Sequence, residues 1–318
     1  MSSRVLLTGG AGFIGSSVGD ALLARGDEVI ALDNLDDYYD PAIKRANLES
    51  ARQQAGFTFV EGDIRDGELL EHLAKTHAID AIIHLAARAG VRPSIEQPTL
   101  YNDVNMVGTS RLLEMAQRTS IDNFVFASSS SVYGERKETP FRETDSVDHP
   151  VSPYAATKKA GELLCHSFHH LFGTSIACLR FFTVYGPRQR PEMAIHRFTR
   201  MISAGEPIPV FGDGSSRRDY TYIDDIVAGV IAALDRNEGY EIYNLGNHRM
   251  VSLGELVEAI GRAVGKEPII DRQPNQPGDV STTCAEISHA QKRLGYEPKT
   301  PLEEGLKNFV EWFNHRSS

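Results

Sequence analysis

The sequence has little of what marks membrane, secreted or disulfide-rich proteins. It holds three cysteines, Cys165, Cys178 and Cys284, and no Cys-x-x-Cys pair, which argues against a disulfide framework or a cysteine zinc site. No apolar run approaches the roughly 20 residues that span a bilayer. The first residues also pass straight into a strand-like run. We therefore expect no membrane span, no signal peptide and a location in the reducing cytoplasm.

Positive charge is also scarce. The chain has 33 Lys and Arg residues against 43 Asp and Glu residues, a formal net charge of −10. This balance argues against a nucleic-acid partner, although a small anionic ligand needs only a few local arginines. His166, His169 and His170 have helical spacing but no convincing companion carboxylate or cysteine pair. We expect them on a surface helix and predict no metal site.

The order of predicted elements favours an α/β fold. Short apolar runs typical of strands alternate with helical stretches, which predicts a Rossmann-type, doubly wound parallel sheet. The runs cover residues 5–8, 28–32, 58–60, 81–85 and 123–127. After about Phe182, proline and glycine interrupt the pattern. We expect one domain over residues 1–182, a smaller mixed C-terminal domain over 183–318, and a segment at about 215–248 that partly returns to the sheet.

A glycine-rich turn follows the first strand. It reads Gly9-Gly10-Ala11-Gly12-Phe13-Ile14-Gly15 and precedes a helix predicted over 13–25, which Gly26 ends. The glycines let the backbone approach a pyrophosphate, and the helix N-terminus supplies free N–H groups and a positive dipole end. Asp33 ends the next strand, where the ribose hydroxyls of NAD are held. A carboxylate there repels a 2′-phosphate, so NAD is favoured over NADP.

Asp63 follows a further strand and has two open interpretations. It could receive the adenine amine of the cofactor, or it could be a turn or helix-capping residue.

The segment Ser152-Pro153-Tyr154-Ala155-Ala156-Thr157-Lys158 carries the strongest catalytic signal. Its serine can cap a helix, and its proline suits the first helical position. Lys158 lies four residues after Tyr154, on the same helix face. A cation at that distance lowers a phenol pKa, which predicts Tyr154 as a base near neutral pH. The serines at 128–131 end a strand, at the edge where open parallel sheets bind ligands.

These features together resemble the extended short-chain dehydrogenase/reductase family over essentially the whole chain. The glycine-rich turn at 8–15 with Asp33, Ser129, Tyr154 and Lys158 carries the resemblance. Three further segments are similar to the UDP-glucuronate 4-epimerases of its nucleotide-sugar epimerase branch. They are residues 33–40, 89–92 and 183–187, the last followed by Arg190 and Pro191.

The resemblance implies an activity and a set of site residues. The activity is C4 epimerisation of UDP-glucuronate and UDP-galacturonate through a 4-keto intermediate, with Tyr154 as the base, Lys158 on the nicotinamide ribose and Ser129 on the sugar O4. The residues expected to line NAD are Gly9, Gly12, Phe13, Ile14, Asp33, Asn34, Asp63, Ile64, Leu85, Ala86, Ala87, Arg88, Tyr154 and Lys158. A second set is expected to bind the UDP-sugar and comes mainly from the C-terminal domain and the serine cluster. Its members are Arg92, Ser129, Ser130, Ser131, Tyr154, Thr183, Arg190, Val210, Phe211, Arg218 and Asp279. The resemblance also implies a homodimer that pairs through the helices after Gln97 and after Pro153.

Ser130 and Ser131 bear on which sugar is used. By the resemblance, related decarboxylases carry a glutamate two residues after the catalytic hydroxyl, and related 4,6-dehydratases carry an Asp-Glu pair there. A carboxylate would repel the acid of the sugar, whereas hydroxyls can donate hydrogen bonds to it, so an acid that is retained is favoured. The alternative is a UDP-glucose or UDP-N-acetylglucosamine 4-epimerase. A UDP-glucuronate decarboxylase and a non-catalytic NAD-sensing protein are less favoured.

Two segments depart from the family pattern. Residues 187–191 read Pro-Arg-Gln-Arg-Pro where the family has a Pro-Trp-Gly-Arg-Pro-like segment. Gln276 stands before Pro277-Gly278-Asp279 where the glucose epimerases have an arginine.

Overall fold

The computed structural model describes residues 2–274 and 282–316. Its strands are β1 Arg4–Thr8, β2 Glu28–Asp33, β3 Phe57–Glu61, β4 Ala81–His84, β5 Asn123–Ser129, β6 Ser175–Phe181, β7 Thr183–Tyr185, β8 Ile208–Phe211, β9 Arg217–Tyr222, β10 Tyr240–Leu245, β11 Met250–Ser252 and β12 Ile270–Gln273. Its α-helices are α1 Phe13–Arg25, α2 Pro41–Asn47, α3 Gly67–Thr76, α4 Val91–Glu96, α5 Pro98–Asn102, α6 Gly108–Arg118, α7 Pro153–Phe172, α8 Ala194–Ala204, α9 Ile223–Asp235, α10 Leu253–Val264, α11 Ser288–Leu294 and α12 Leu302–Arg316. Shorter helical turns are Ala51–Gln53, Asp103–Val107 and Ser130–Tyr133.

Seven strands form the central sheet, in the order β10-β6-β5-β4-β1-β2-β3. All of its neighbouring strands run parallel. The strand order reverses between β1 and β4, which opens a crevice at the carboxyl ends of these strands. The predicted Rossmann-type sheet is confirmed, and its first five strands lie within two residues of the predicted runs.

Helices cover both faces of this sheet, so its strands are apolar on both sides. Along β1, Val5 and Leu7 pack into the core on the side of α1 and α9, while Leu6 packs into the core beneath α3, α6 and α7. This alternation is the two-residue period of a strand. The helix α1 has the predicted bounds, and Gly26 ends it with a φ of 93°.

The chain beyond Phe182 builds two small sheets, of order β11-β9-β7 and β12-β8. It also returns to the large sheet, because β10 pairs with β6 along its whole length. Ser252 precedes α10 and caps it in a reciprocal pair with Glu255. Within residues 2–274 and 282–316, no helix has the length and apolar character to cross a bilayer.

Candidate active site

A cavity of about 410 Å³ lies at the carboxyl ends of the central strands. The glycine-rich turn, the loops after β2, β4 and β7, the end of β5 and the start of α7 all line it. It contains both the predicted cofactor residues and the predicted catalytic residues. The predicted residues that line it are Gly9, Gly12, Phe13, Ile14, Asp33, Asn34, Asp63, Ile64, Leu85, Ala86, Ala87, Arg88, Ser129, Ser130, Ser131, Tyr154, Lys158, Thr183 and Arg190.

The glycine-rich turn is too tight for side chains. Gly9 has a φ of 72°, and a Cβ on Gly15 would lie 2.0 Å from the carbonyl oxygen of Gly9. Gly12 is the N-cap of α1, with no side-chain cap and no acidic residue in the first turn. The N-terminal end of α1 therefore presents backbone N–H groups and positive dipole charge to the cavity, which suits a pyrophosphate.

Asp33 is held beside this turn by backbone donors. Its two carboxylate oxygens accept from the N–H of Ala11 at 3.1 Å and the N–H of Leu35 at 2.9 Å. Burial raises the pKa of Asp33, and the charge of Lys44 partly opposes this effect. A carboxylate has about four lone-pair sites, so Asp33 can still accept from a ligand hydroxyl.

Asp63 is bound by neighbouring side chains. The guanidinium of Arg65 donates to both of its oxygens, at 2.9 and 2.7 Å, and the amide of Asn34 donates at 3.0 Å. The hydrogen bond from Arg65 lowers the pKa of Asp63 to about 2. Asp63 lines the cavity as a fixed anion, and its contact with an adenine amine remains a prediction.

The hydroxyl groups of the catalytic set meet where β5 ends and α7 begins. Ser152 caps α7 by accepting from the N–H of Ala155 at 3.1 Å, and Pro153 occupies the first turn, as predicted. The Oγ of Ser129 accepts from the N–H of Ser131 and lies 3.1 Å from its hydroxyl. The side chain of Ser129 also hydrogen-bonds with that of Tyr154.

The electrostatics of Tyr154 differ from the prediction. Burial raises the pKa of its phenol, and a hydrogen bond with Ser129 and the charge of Arg190 partly offset that rise. Lys158 lies farther away, with its Nζ 6.0 Å from the ring centre of Tyr154. This ammonium donates instead to the carbonyl of Ala127 at 2.7 Å, and burial lowers its pKa to about 8. The charge that lowers the pKa of Tyr154 therefore comes from Arg190 and not from Lys158.

The remaining predicted sugar-binding residues lie apart from the lining of this cavity. Val210 and Phe211 are on β8, and the guanidinium of Arg92 lies 5.8 Å from the ring centre of Phe211. Two residues predicted to bind the UDP-sugar therefore lie next to each other, outside the lining of the cavity. Arg218, on β9, donates to the carbonyl of Arg217 at 2.9 Å. Asp279 lies outside the described residues.

The prediction missed several residues in the loop after β2 and in α2, which follows it. Asp36, Tyr38, Tyr39 and Lys44 line the cavity, although only Asp33 and Asn34 were predicted there. The Asp-Asp-Tyr-Tyr-Asp run directly after the strand of Asp33 was the available signal. Its spacing alone does not show which of its side chains face inward.

A buried ion pair behind the catalytic residues was also missed. Glu162 and Arg180 are 0% and 1% exposed, and two hydrogen bonds of 2.8 and 2.9 Å join them. The hydroxyl of Ser128 donates to Glu162 at 2.7 Å. Glu162 lies four residues after Lys158, on the same face of α7. The pair therefore ties α7 to β5 and β6 directly behind Ser129.

Comparisons with known proteins agree with this geometry. Residues 6–309 match the family described as GDP-mannose 4,6 dehydratase. The chain is 46% identical over 308 residues to the UDP-glucuronate 4-epimerase of Thermodesulfobacterium geofontis, covering 96% of this chain and 95% of that protein.

Two solved structures are similar over nearly the whole chain. The UDP-glucuronic acid 4-epimerase of Bacillus cereus, in complex with UDP-glucuronic acid and NAD, has a TM-score of 0.92 at 36% identity, covering 98% of this chain and 99% of that one. The UDP-glucose 4-epimerase of Thermotoga maritima, with UDP-glucose, has a TM-score of 0.91 at 35% identity, covering 99% and 100%.

Proposed function

Because the chain belongs to the family described as GDP-mannose 4,6 dehydratase, within the extended short-chain dehydrogenases/reductases, we propose that it is an NAD-dependent nucleotide-sugar 4-epimerase that interconverts UDP-glucuronate and UDP-galacturonate. The observation that carries this proposal is one cavity that contains Tyr154, three serine hydroxyls and the glycine-rich turn. The 46% identity to a UDP-glucuronate 4-epimerase supports the choice of sugar.

The residues present fit NAD as the cofactor. The uncapped N-terminus of α1 suits its pyrophosphate, and Asp33 lies where ribose hydroxyls are held. NAD, when bound, supplies the group that accepts the hydride from C4 of the sugar, and it is regenerated in each turnover. The carboxylate of Asp33 disfavours a 2′-phosphate, so we expect NADP to bind and support activity far less than NAD. Equal affinity for the two cofactors in titration would contradict this role of Asp33.

Tyr154 and Ser129 act at the O4 of the sugar. Tyr154 removes the O4 proton as the hydride leaves C4, and it returns a proton when the hydride comes back on the opposite face. The pKa of Tyr154 is raised by burial in the free protein, and Ser129 and Arg190 stabilise its anion. We assign to Ser129 the role of holding O4 while the proton moves, and its 8% exposure and its hydrogen bond from the N–H of Ser131 support this assignment.

The serine cluster holds the sugar acid. The 4-keto form of a uronic acid is a β-keto acid, which loses CO₂ when the breaking bond aligns with the carbonyl π system. Ser130, Ser131 and Thr183 line the cavity beside Tyr154, and hydrogen bonds to a charged group contribute about 1.5–3 kcal/mol each. We infer that these hydroxyls hold the carboxylate out of that alignment.

The test is product analysis by NMR with UDP-glucuronate, UDP-glucose and UDP-N-acetylglucosamine side by side. We expect the wild type to convert UDP-glucuronate best. Ser131→Glu should weaken UDP-glucuronate binding more than UDP-glucose binding, because two like charges meet in a partly dry site, and it should release more pentose product. Ser131→Ala is the matched control, since it removes the hydroxyl and adds no charge.

Two results would overturn the proposal. If the wild type prefers UDP-glucose, the neutral-sugar epimerase takes its place, and the similarity to the Thermotoga maritima enzyme is the observation that supports that alternative. If Ser131→Glu weakens both sugars equally, the serine cluster does not bind the carboxylate.

We also propose that two copies pair through α7. This helix exposes Leu163 and Leu171, each more than half exposed and eight residues apart, so both lie on one side of the helix, and an exposed apolar patch favours an interface. Sedimentation of the wild type and of Leu163→Lys tests this proposal, and a monomeric wild type would contradict it.

A further inference from the structure

Four side chains that line the cavity connect three of its loops. They are Asp36, Tyr38, Arg88 and Arg190, and we call these four residues the Tyr38 belt. Asp36 and Tyr38 follow β2, Arg88 follows β4, and Arg190 follows β7. The guanidinium of Arg88 pairs with the carboxylate of Asp36. The guanidinium groups of Arg88 and Arg190 lie over the Tyr38 ring, 5.5 and 5.7 Å from its centre.

The belt joins the two parts of the molecule beside the cavity. Asp36, Tyr38 and Arg88 belong to loops of the Rossmann sheet, whereas Arg190 lies on the segment that leads into α8. That segment has a second anchor, because Arg188 pairs with Asp20 on α1 at 2.7 Å. The Tyr38 ring is therefore a point of contact between a loop of the Rossmann sheet and the segment that carries Arg190.

The Tyr38 ring is also packed from the Rossmann side. A Cβ on Gly90 would lie 3.0 Å from the hydroxyl of Tyr38, and Gly90 has a φ of 107°. This close approach, together with the contact from Arg88, holds the ring in place while leaving Tyr38 half-buried.

The proposed reaction requires a closed site. The hydride that leaves C4 must return to the same carbon, so the protein has to keep its cofactor between the two transfers. We propose that Tyr38, through its contacts with Arg88 and Arg190, closes the cavity and retains the cofactor during turnover. This inference rests on the proposed function, because a redox enzyme that exchanges its cofactor in each cycle has no need of such retention.

The experiment measures cofactor release with no UDP-sugar present. NADH is bound to the protein, its fluorescence is followed, and excess NAD displaces it. We expect Tyr38→Leu to release NADH at least about tenfold faster than the wild type, because two cation–π contacts are lost. Tyr38→Phe keeps the ring and should release it within about twofold of the wild-type rate.

Tyr39→Leu is the matched control. Tyr39 also lines the cavity, but its ring is contacted by Lys44 of α2, at 4.9 Å, within the same part of the molecule. We expect its effect to be less than about threefold. Thermal unfolding of each variant without cofactor shows that it is folded, which the half-buried loop position of Tyr38 favours.

Three results would overturn the inference: a wild-type release rate in Tyr38→Leu, equal rates in Tyr38→Phe and Tyr38→Leu, or equal rates in Tyr39→Leu and Tyr38→Leu. A second readout depends on the reaction. With UDP-glucuronate, Tyr38→Leu should lose activity over successive turnovers and regain it when NAD is added. Faster NADH release with no turnover of any UDP-sugar, in the wild type or the variant, would reject the proposed function and leave the role of Tyr38 intact.

Discussion

The two ends of the cavity are built in different ways. At the cofactor end, backbone groups form much of the site: the glycine-rich turn leaves free N–H groups at the start of α1, and Asp33 is fixed by the backbone N–H groups of Ala11 and Leu35. At the catalytic end, side chains from β5, α7 and the loop after β7 meet. The cofactor end therefore depends on small glycines, whereas the catalytic end depends on individual polar side chains and on the contacts that hold their strands and helices together.

The largest expected effect is at the catalytic end. Tyr154→Phe keeps the ring that packs edge-on against Tyr101, with ring centres 6.3 Å apart, and removes the group that moves the proton. We expect kcat to fall by about 10²–10⁴-fold and NADH binding to stay near wild type. Steady-state kinetics and NADH titration measure the two effects.

Tyr101→Phe is the control for that variant, because it removes a neighbouring phenol hydroxyl that donates to the carbonyl of Ala89 at 2.7 Å. It should retain most of the activity. Near-wild-type turnover in Tyr154→Phe would show that another group is the base.

The next prediction concerns the buried pair of Glu162 and Arg180, which lies behind the catalytic residues. Glu162→Gln leaves Arg180 buried beside a neutral partner, and breaking a buried ion pair typically costs about 3–5 kcal/mol of stability. Burial opposes ionisation of Glu162, but its bonds with Arg180 prevail and lower its pKa. We expect lower stability in urea unfolding and reduced kcat, because Ser128 on β5 and Arg180 on β6 lose the charged partner that they share on α7.

Glu311→Gln provides the matched control for this change. Its exposed pair with Lys307 spans 3.9 Å, and such pairs contribute about 0–1 kcal/mol. Equal losses of stability in the two glutamine variants would show that the buried pair of Glu162 stabilises the protein no more than an exposed pair does.

At the cofactor end, we expect the loss of NAD affinity to come from a clash with the backbone of the glycine-rich turn. Gly15→Ala places a methyl group 2.0 Å from the carbonyl oxygen of Gly9, so the turn has to shift. We expect NAD affinity to fall by about a hundredfold, measured by calorimetry. Gly19→Ala, on the same helix, meets only a side-chain atom of Leu7 at 3.4 Å and should bind NAD as the wild type does. A Gly15→Ala variant with normal affinity would show that the turn is not tightly constrained.

The most gradual effect concerns Lys158, which lines the cavity between the two ends. Its pKa is about 8 in the folded protein, against 10.5 ordinarily, because of burial. Between pH 8 and 10.5 the unfolded chain therefore holds a proton that the folded protein has released. The cofactor-free wild type should gain stability over this window by up to about 1.4 kcal/mol per pH unit, relative to Lys158→Met. If the stability of the two proteins changes with pH in parallel, burial does not lower the pKa of Lys158.

The sequence by itself determined the local elements that carry the site. The bounds of α1, the cap of α7 and the strand ending at the serine cluster were predicted from signals a few residues long. These signals suffice because a helix cap, a positive-φ glycine and a strand pattern act through neighbouring backbone groups.

Only the tertiary structure decided which side chains meet. It turned Lys158 toward the carbonyl of Ala127, set Arg92 against Phe211 and brought Tyr38 beneath Arg190. It also made burial the largest influence on the pKa of Tyr154. The physical reason is that desolvation and side-chain contacts depend on segments far apart in the chain, whose relative placement the spacing of residues does not contain.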